Sequence, residues 1–97
     1  MLKVSRTPIN TVIVYDIGAK RVAKVHDFLS GRMFWEQNSV FSGNLSRGSL
    51  KKVLFQLECL IDPGHDCICC YSLKYPFSLD VERWGKNTGK HSEIVRI

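Results

Sequence analysis

The segment Thr11-Val12-Ile13-Val14-Tyr15-Asp16-Ile17 runs strand-forming residues straight into a carboxylate. An acid in that place either meets solvent and the start of a following helix, or holds a cation. In open α/β sheets, functional groups gather beyond the carboxyl ends of strands. Magnesium prefers hard oxygen ligands and takes one or two carboxylates, keeping several waters. One Asp16 per chain is therefore enough if a two-fold axis brings two copies together. A second feature is the charge order Arg47, Lys51, Lys52, then Glu58 and Asp62, along one apolar-periodic segment. A helix dipole prefers acids first and bases last, so this order is reversed. Three bases at a helix N-terminus suit a phosphate, and a solvated basic face is the plainer alternative. A third feature, Arg32 with Phe34 and Trp35, mixes cation and aromatic as base stacking does. Large aromatics in short strands also serve as core or interface.

Other chemistries find less support. Cys67, Cys69 and Cys70 follow His65, with Cys59 the fourth cysteine. In a strand, 67 and 69 share a face while 70 points the other way, which opposes convergence on one tetrahedral zinc. No zinc is expected, and no disulfide framework either if the thiols are kept reduced. His26, His65 and His91 fall in different segments, and neither GxSxG nor a P-loop is present.

These side chains need elements to hold them. Residues 11–17 read as a strand that is apolar on both faces, stopped by Gly18. From Ala19 to Ser30 the period changes, with Val22, Val25 and Leu29 at helical spacing and Gly31 as the stop. Residues 32–45 favour strand, as one bent strand or as two short ones broken near Gln37-Asn38. Ser46 is placed to cap a helix whose Leu50, Val53, Leu54, Leu57, Leu60 and Ile61 follow at offsets of 0, 3, 4, 7, 10 and 11. Asp62-Pro63-Gly64 ends it. Residues 66–73 and 79–84 read as strands with a turn at Tyr75-Pro76-Phe77 between them. Gly85 to Gly89 reads as a polar loop, and HSEIVRI as a last short strand. Strands and helices alternating in so short a chain imply one sheet with two helices packed on one face.

Ninety-seven residues make one domain, which gains from oligomerising because so small a chain buries a modest share of its surface. Fourteen Lys and Arg against nine Asp and Glu leave a net charge of +5, which favours polyanionic partners. No apolar run approaches the roughly 20 residues of a membrane span, and the first ten residues carry no apolar signal region. A cytoplasmic protein with no membrane partner is expected.

The pieces in order say more than any one alone. VYDI is followed by Arg21, Lys24, Val25 and Leu29, then QNSVFSGNLS, then a leucine-rich helix ending in IDP, then DCICCYSL. This series resembles the CRISPR-associated protein 2 family over residues 11–73, and loosely from 74 to 97. The resemblance implies an α+β, ferredoxin-like βαββαβ sandwich with an extra C-terminal strand: one antiparallel sheet with two helices on one face. It implies a single domain over 1–97 with a core at about 11–84. Residues 90–97 would cross to complete the sheet of a partner in a homodimer, and residues 32–45 would split in two. Asp16 falls on the family's acid, as catalytic residue and ligand of Mg2+ (or Mn2+) shared across the dimer axis. Tyr15, Ser39 and Phe41 would lie near that site. Arg21 and Lys24 would hold phosphates, with Arg32, Arg47, Lys51 and Lys52 as further nucleic-acid contacts. The implied function is metal-dependent cleavage of RNA or DNA in CRISPR adaptation, alongside the CRISPR integrase. A non-catalytic DNA-binding adaptor that bridges integrase dimers, or a messenger-cleaving toxin of similar fold, are the alternatives. Ser42 stands where the family often has an acid and Trp35 where it often has Arg. Both departures weaken the catalytic reading more than the adaptor reading.

Overall fold

A computed structural model describes residues 8–74, 78–86 and 92–96. The chain runs β1 (Ile9–Asp16), α1 (Ala19–Ser30), β2 (Phe34–Gln37), β3 (Val40–Leu45), α2 (Arg47–Leu60), β4 (Cys67–Lys74), β5 (Ser78–Gly85) and β6 (Ser92–Arg96). The six strands form one sheet in the order β2-β3-β1-β4-β5-β6, every neighbouring pair antiparallel. The first four strands and the two helices make the βαββαβ unit, with β1 at its centre. β5 and β6 then extend the β4 edge, where the sequence placed strands over 79–84 and in HSEIVRI.

Alternation along β1 decides which face meets the helices. Ile9, Thr11, Ile13 and Tyr15 are buried, while Asn10, Val12 and Asp16 are exposed. Register carries the same split outwards, with Phe41 opposite Ile13 on β3 and Cys70 opposite Ile13 on β4. Val25 and Leu29 of α1 and Leu50, Val53 and Leu57 of α2 close on that face as one cluster. Both helices therefore cover one side of the sheet, and the other side is open.

The helices are set by local signals. The Ser46 hydroxyl accepts from the Ser49 amide at 3.1 Å and caps α2. Gly18 sits at the N-cap of α1 without a side chain to do the same, and no acid lies in the first turn of that helix. Residues 32–45 resolve into a hairpin that turns at Asn38, whose φ of 40° is tolerated by asparagine better than by most residues. The expected turn at 75–77 lies outside the described residues, as do 87–89 of the expected loop; Gly85 itself ends β5. The last segment, expected to cross to a partner, runs antiparallel to β5 of its own chain, with Leu79 opposite Val95. Among the described residues, no helix is long and apolar enough to cross a membrane.

Candidate active site at the end of strand β1

Asp16 is the last residue of β1 and is exposed on the open face of the sheet. Its lateral neighbour is Cys67, with Cys69 opposite Val14 on the same face. Burial, then the adjoining Cys69 and the negative charge of Asp16, push the Cys67 thiol up, so it stays neutral beside the carboxylate. Asp16 is thus a hard oxygen donor flanked by a protonated thiol. Among the described residues, no three His, Cys, Asp or Glu side chains are grouped to hold a metal ion. One chain supplies a single carboxylate, which fits magnesium if water and a second copy complete the shell.

Two of the three expected neighbours of Asp16 point to the other face of the sheet. Tyr15 and Phe41 lie on the helix face, stacked with ring centroids 6.2 Å apart. The Tyr15 hydroxyl meets His26 Nδ1 at 3.3 Å, and His26 packs edge-on against both Phe41 and Trp35. These rings form a wedge beneath the end of β1, and adjacent strand residues must point to opposite faces. Ser39 holds the same end by its backbone, its carbonyl accepting from the Tyr15 amide at 3.1 Å.

The basic residues divide into separate groups. Arg21 Nε donates to Asp66 Oδ2 at 2.6 Å and its Nη2 to Asp66 Oδ1 at 2.9 Å. Two of the five guanidinium N–H donors are thereby committed to Asp66, and an expected phosphate contact is left to the remaining three on this partly exposed side chain. Lys24 is exposed on the next turn of α1. Arg32 lies past the far end of α1, over the Phe28 ring at 4.1 Å, with Nη1 donating to the Phe28 carbonyl. Twelve helical residues separate it from the Asp16 end by roughly 18 Å. Arg32 and Lys52 line one hollow beside α2, whereas Arg47 and Lys51 line another on its opposite flank, with Phe55 exposed between them. Since α2 begins at the Leu45 end of β3, paired with Ile9, its basic start lies a strand length from Asp16. The fold does not gather the six expected basic residues around Asp16.

The residue that sequence reading passed over is Asp66. It is fully buried at the head of β4 and accepts four hydrogen bonds. Two come from Arg21, one from the Gly18 amide at 2.8 Å and one from the Asp62 amide at 2.8 Å. The Asp66 carboxylate therefore supplies the negative charge that the first turn of α1 lacks. The Arg21 hydrogen bonds, followed by the two amides, outweigh the cost of burial and hold Asp66 well below the usual carboxylate range. A depressed carboxylate contributes stability that is complete above its unfolded pKa, near 4, and is lost as pH falls through that value toward the folded one. Acid melts of the wild type are expected to lose stability from about pH 5 downwards, with a shallower dependence in Asp66→Asn. Equal slopes in the two proteins would show that Asp66 is not the group concerned.

Comparison with known proteins accords with this geometry. The family model described as CRISPR associated protein Cas2 matches residues 10–76. A CRISPR-associated endoribonuclease Cas2 of Methanosarcina acetivorans is 40% identical over 84 residues, covering 87% of this chain and 97% of that protein. One from Thermotoga maritima is 33% identical over 83 residues, covering 86% of this chain and 95% of that protein. A solved structure described as a crystal structure of Cas2 superposes with a TM-score of 0.64 at 34% identity, over 66% of this chain and 72% of that one. The family match spans more than half of the chain and the relatives cover most of it, and the chain belongs to the CRISPR associated protein Cas2 family.

Proposed function

We propose that this protein is a metal-dependent endonuclease of CRISPR adaptation, working as a homodimer in the cytoplasm beside the CRISPR integrase. The observation that carries this reading is the exposed Asp16 carboxylate at a strand end on the face the helices leave open. The relatives are named endoribonucleases, which makes single-stranded RNA the first substrate to try, with duplex DNA second. The Asp16 carboxylate of each copy would hold Mg2+ or Mn2+, and the ion's part would be Lewis-acid polarisation of a phosphoryl oxygen and a bound water of lowered pKa. The protein's own part is to fix the acid rigidly at the end of a central strand and to bring a second copy alongside. The test is cleavage of both substrates by wild type and Asp16→Asn, with and without metal; cleavage independent of Asp16 would overturn the reading.

The open face supports the dimer. Phe34 (76% exposed), Leu73 (41%) and Val12 (36%) lie on it beside Tyr71 and Leu79, around a hollow of about 380 Å³ edged by Asn10 and Asn44. A sheet face with this much apolar surface is stable when covered, and a second copy laid on it brings its own Asp16 to the same surface. A charge on this face, Leu73→Asp, is expected to lose about 1 kcal/mol of burial per protomer, since Leu73 is 41% exposed before it is covered. Sedimentation is expected to show the dimer dissociating to monomer at micromolar concentration. An unchanged mass would exclude this face as the interface.

The adaptor reading draws on the same protein through different residues. Arg32, Lys52, Arg47 and Lys51 lie on the helical layer, away from Asp16, where they can grip duplex DNA whether or not Asp16 is intact. Retained DNA and integrase binding with no cleavage at all would favour it.

A further inference from the structure

We propose that Asp66 and Arg21 form a clasp that positions Asp16, so that Arg21 acts on the site through Asp66 and not by holding phosphate. The inference rests on Asp16 being the functional acid. It follows from where one buried carboxylate is attached. Asp66 Oδ1 takes the Gly18 amide, two residues beyond Asp16 along the chain. The residue after Asp66 is Cys67, the lateral neighbour of Asp16 across the β1–β4 ladder. Both the onward path of the backbone from Asp16 and the strand beside it are thereby fixed by a single residue.

The other attachments make that residue rigid. Asp66 Oδ2 takes the Asp62 amide from the turn after α2, and the Asp66 carbonyl takes the Lys86 amide at the end of β5. The Asp66 amide itself donates to the Asp62 carbonyl at 2.8 Å. Arg21 completes the shell with a two-pronged contact from the first turn of α1. Such a fork fixes orientation as well as charge, which a lysine would not reproduce. Among the described residues, no buried side-chain nitrogen or oxygen lacks a partner, so the clasp is closed. It gathers the starts of α1 and β4 and the ends of α2 and β5 around the end of β1. A second feature guards it: a methyl on Gly18 would stand 2.8 Å from Arg21 Nη2 and 3.5 Å from Asp66 Oδ1.

Outer partners that orient a metal ligand are worth 10–100-fold in metal affinity or activity. The test uses full-length protein, Mn2+ as the probe ion followed by electron paramagnetic resonance, and duplex DNA binding across a salt series. Arg21→Met is expected to weaken Mn2+ binding and Mn2+-dependent RNA cleavage by about tenfold or more, with Arg21→Lys between it and wild type. The salt slope of DNA binding should stay unchanged, because a positioning residue releases no counterions. In an Asp16→Asn background, Arg21→Met should change neither quantity further, which a general loss of structure would not reproduce. Gly18→Ala keeps every charge, pushes on the clasp from the other side and should weaken Mn2+ binding in the same direction. Normal Mn2+ affinity in Arg21→Met, with a salt slope reduced by about 0.9, would make Arg21 a phosphate ligand and overturn the clasp's role. Loss in Asp16→Asn with Arg21→Met and Gly18→Ala both like wild type would overturn the inference alone. Full Mn2+ binding in Asp16→Asn would overturn the assignment of Asp16, and this inference with it.

Discussion

Asp16→Asn is expected to leave the fold intact and to reduce metal-dependent cleavage by about a thousandfold or more, equivalent to roughly 4 kcal/mol of barrier. Asparagine keeps the size of the side chain and one acceptor oxygen, and removes the charge that would attract the cation. Asp16 is exposed at the end of its strand, so the change should alter monomer stability by no more than about 0.5 kcal/mol. The dimer supplies a sharper signature. Two carboxylates at one axis repel when no cation lies between them, and a metal that binds both stabilises the pair by mass action. Adding Mn2+ should therefore tighten the wild-type dimer and leave the Asp16→Asn dimer unaffected. Without metal the order reverses, because the variant has no like charges to bring together. A variant that cleaves normally would return attention to the helical layer and to the adaptor role. One that fails to cleave and also fails to dimerise would indicate damage to the interface and not to the chemistry.

Much of the frame was legible because it depends on local periodicity. The helix expected over Ala19–Ser30 has those bounds, and Ser46 caps α2 as its position before a leucine-periodic run implies. The same rule of alternation that places Cys67 and Cys69 together and Cys70 opposite also separates Tyr15 from Asp16. Naming Tyr15 and Phe41 as companions of the acid set that period aside. Asp66 was missed for a different reason. Its partner Arg21 lies 45 residues away, and a single acid beside three cysteines carries no periodic mark. The local signal available was the uncapped, acid-free start of α1: a helix opening with Ala19-Lys20-Arg21 after Gly18 needs a negative charge from elsewhere. The basic start of α2 divides between two flanks of that helix, and its distance from Asp16 follows only from the antiparallel order of β1 and β3. Whether residues 32–45 bent or broke turned on one backbone angle at Asn38, which composition suggests without deciding.

Gly85→Ala is expected to be the most destabilising glycine-to-alanine change among the described residues, and the reason again leads to Asp66. Gly85 ends β5 with φ at +101°, a conformation that side-chain-bearing residues rarely adopt. A Cβ built there would stand 2.0 Å from the Asp66 carbonyl oxygen, 2.9 Å from its carbon and 3.0 Å from the Cys67 Cα. All three are backbone atoms, so no side chain can swing aside. Backbone strain of about 1–3 kcal/mol and overpacking of about 1–3 kcal/mol act together, for a loss on the order of 4 kcal/mol. A domain of this size gains only about 5–15 kcal/mol from folding, and each kcal/mol moves Tm by about 4–8 °C. A fall of roughly 15–30 °C is therefore expected in a thermal melt. Gly48→Ala is the control, since a methyl in that first turn of α2 meets nothing within 4 Å and should stabilise by about 0.5–1 kcal/mol. If Gly85→Ala melted with the wild type, the end of β5 would not lie against Asp66. If it melts early yet remains folded at low temperature, its Mn2+ affinity carries further information. The displaced carbonyl belongs to the residue whose side chain holds Gly18 and Arg21, so pressure from β5 reaches the end of β1 through one peptide unit.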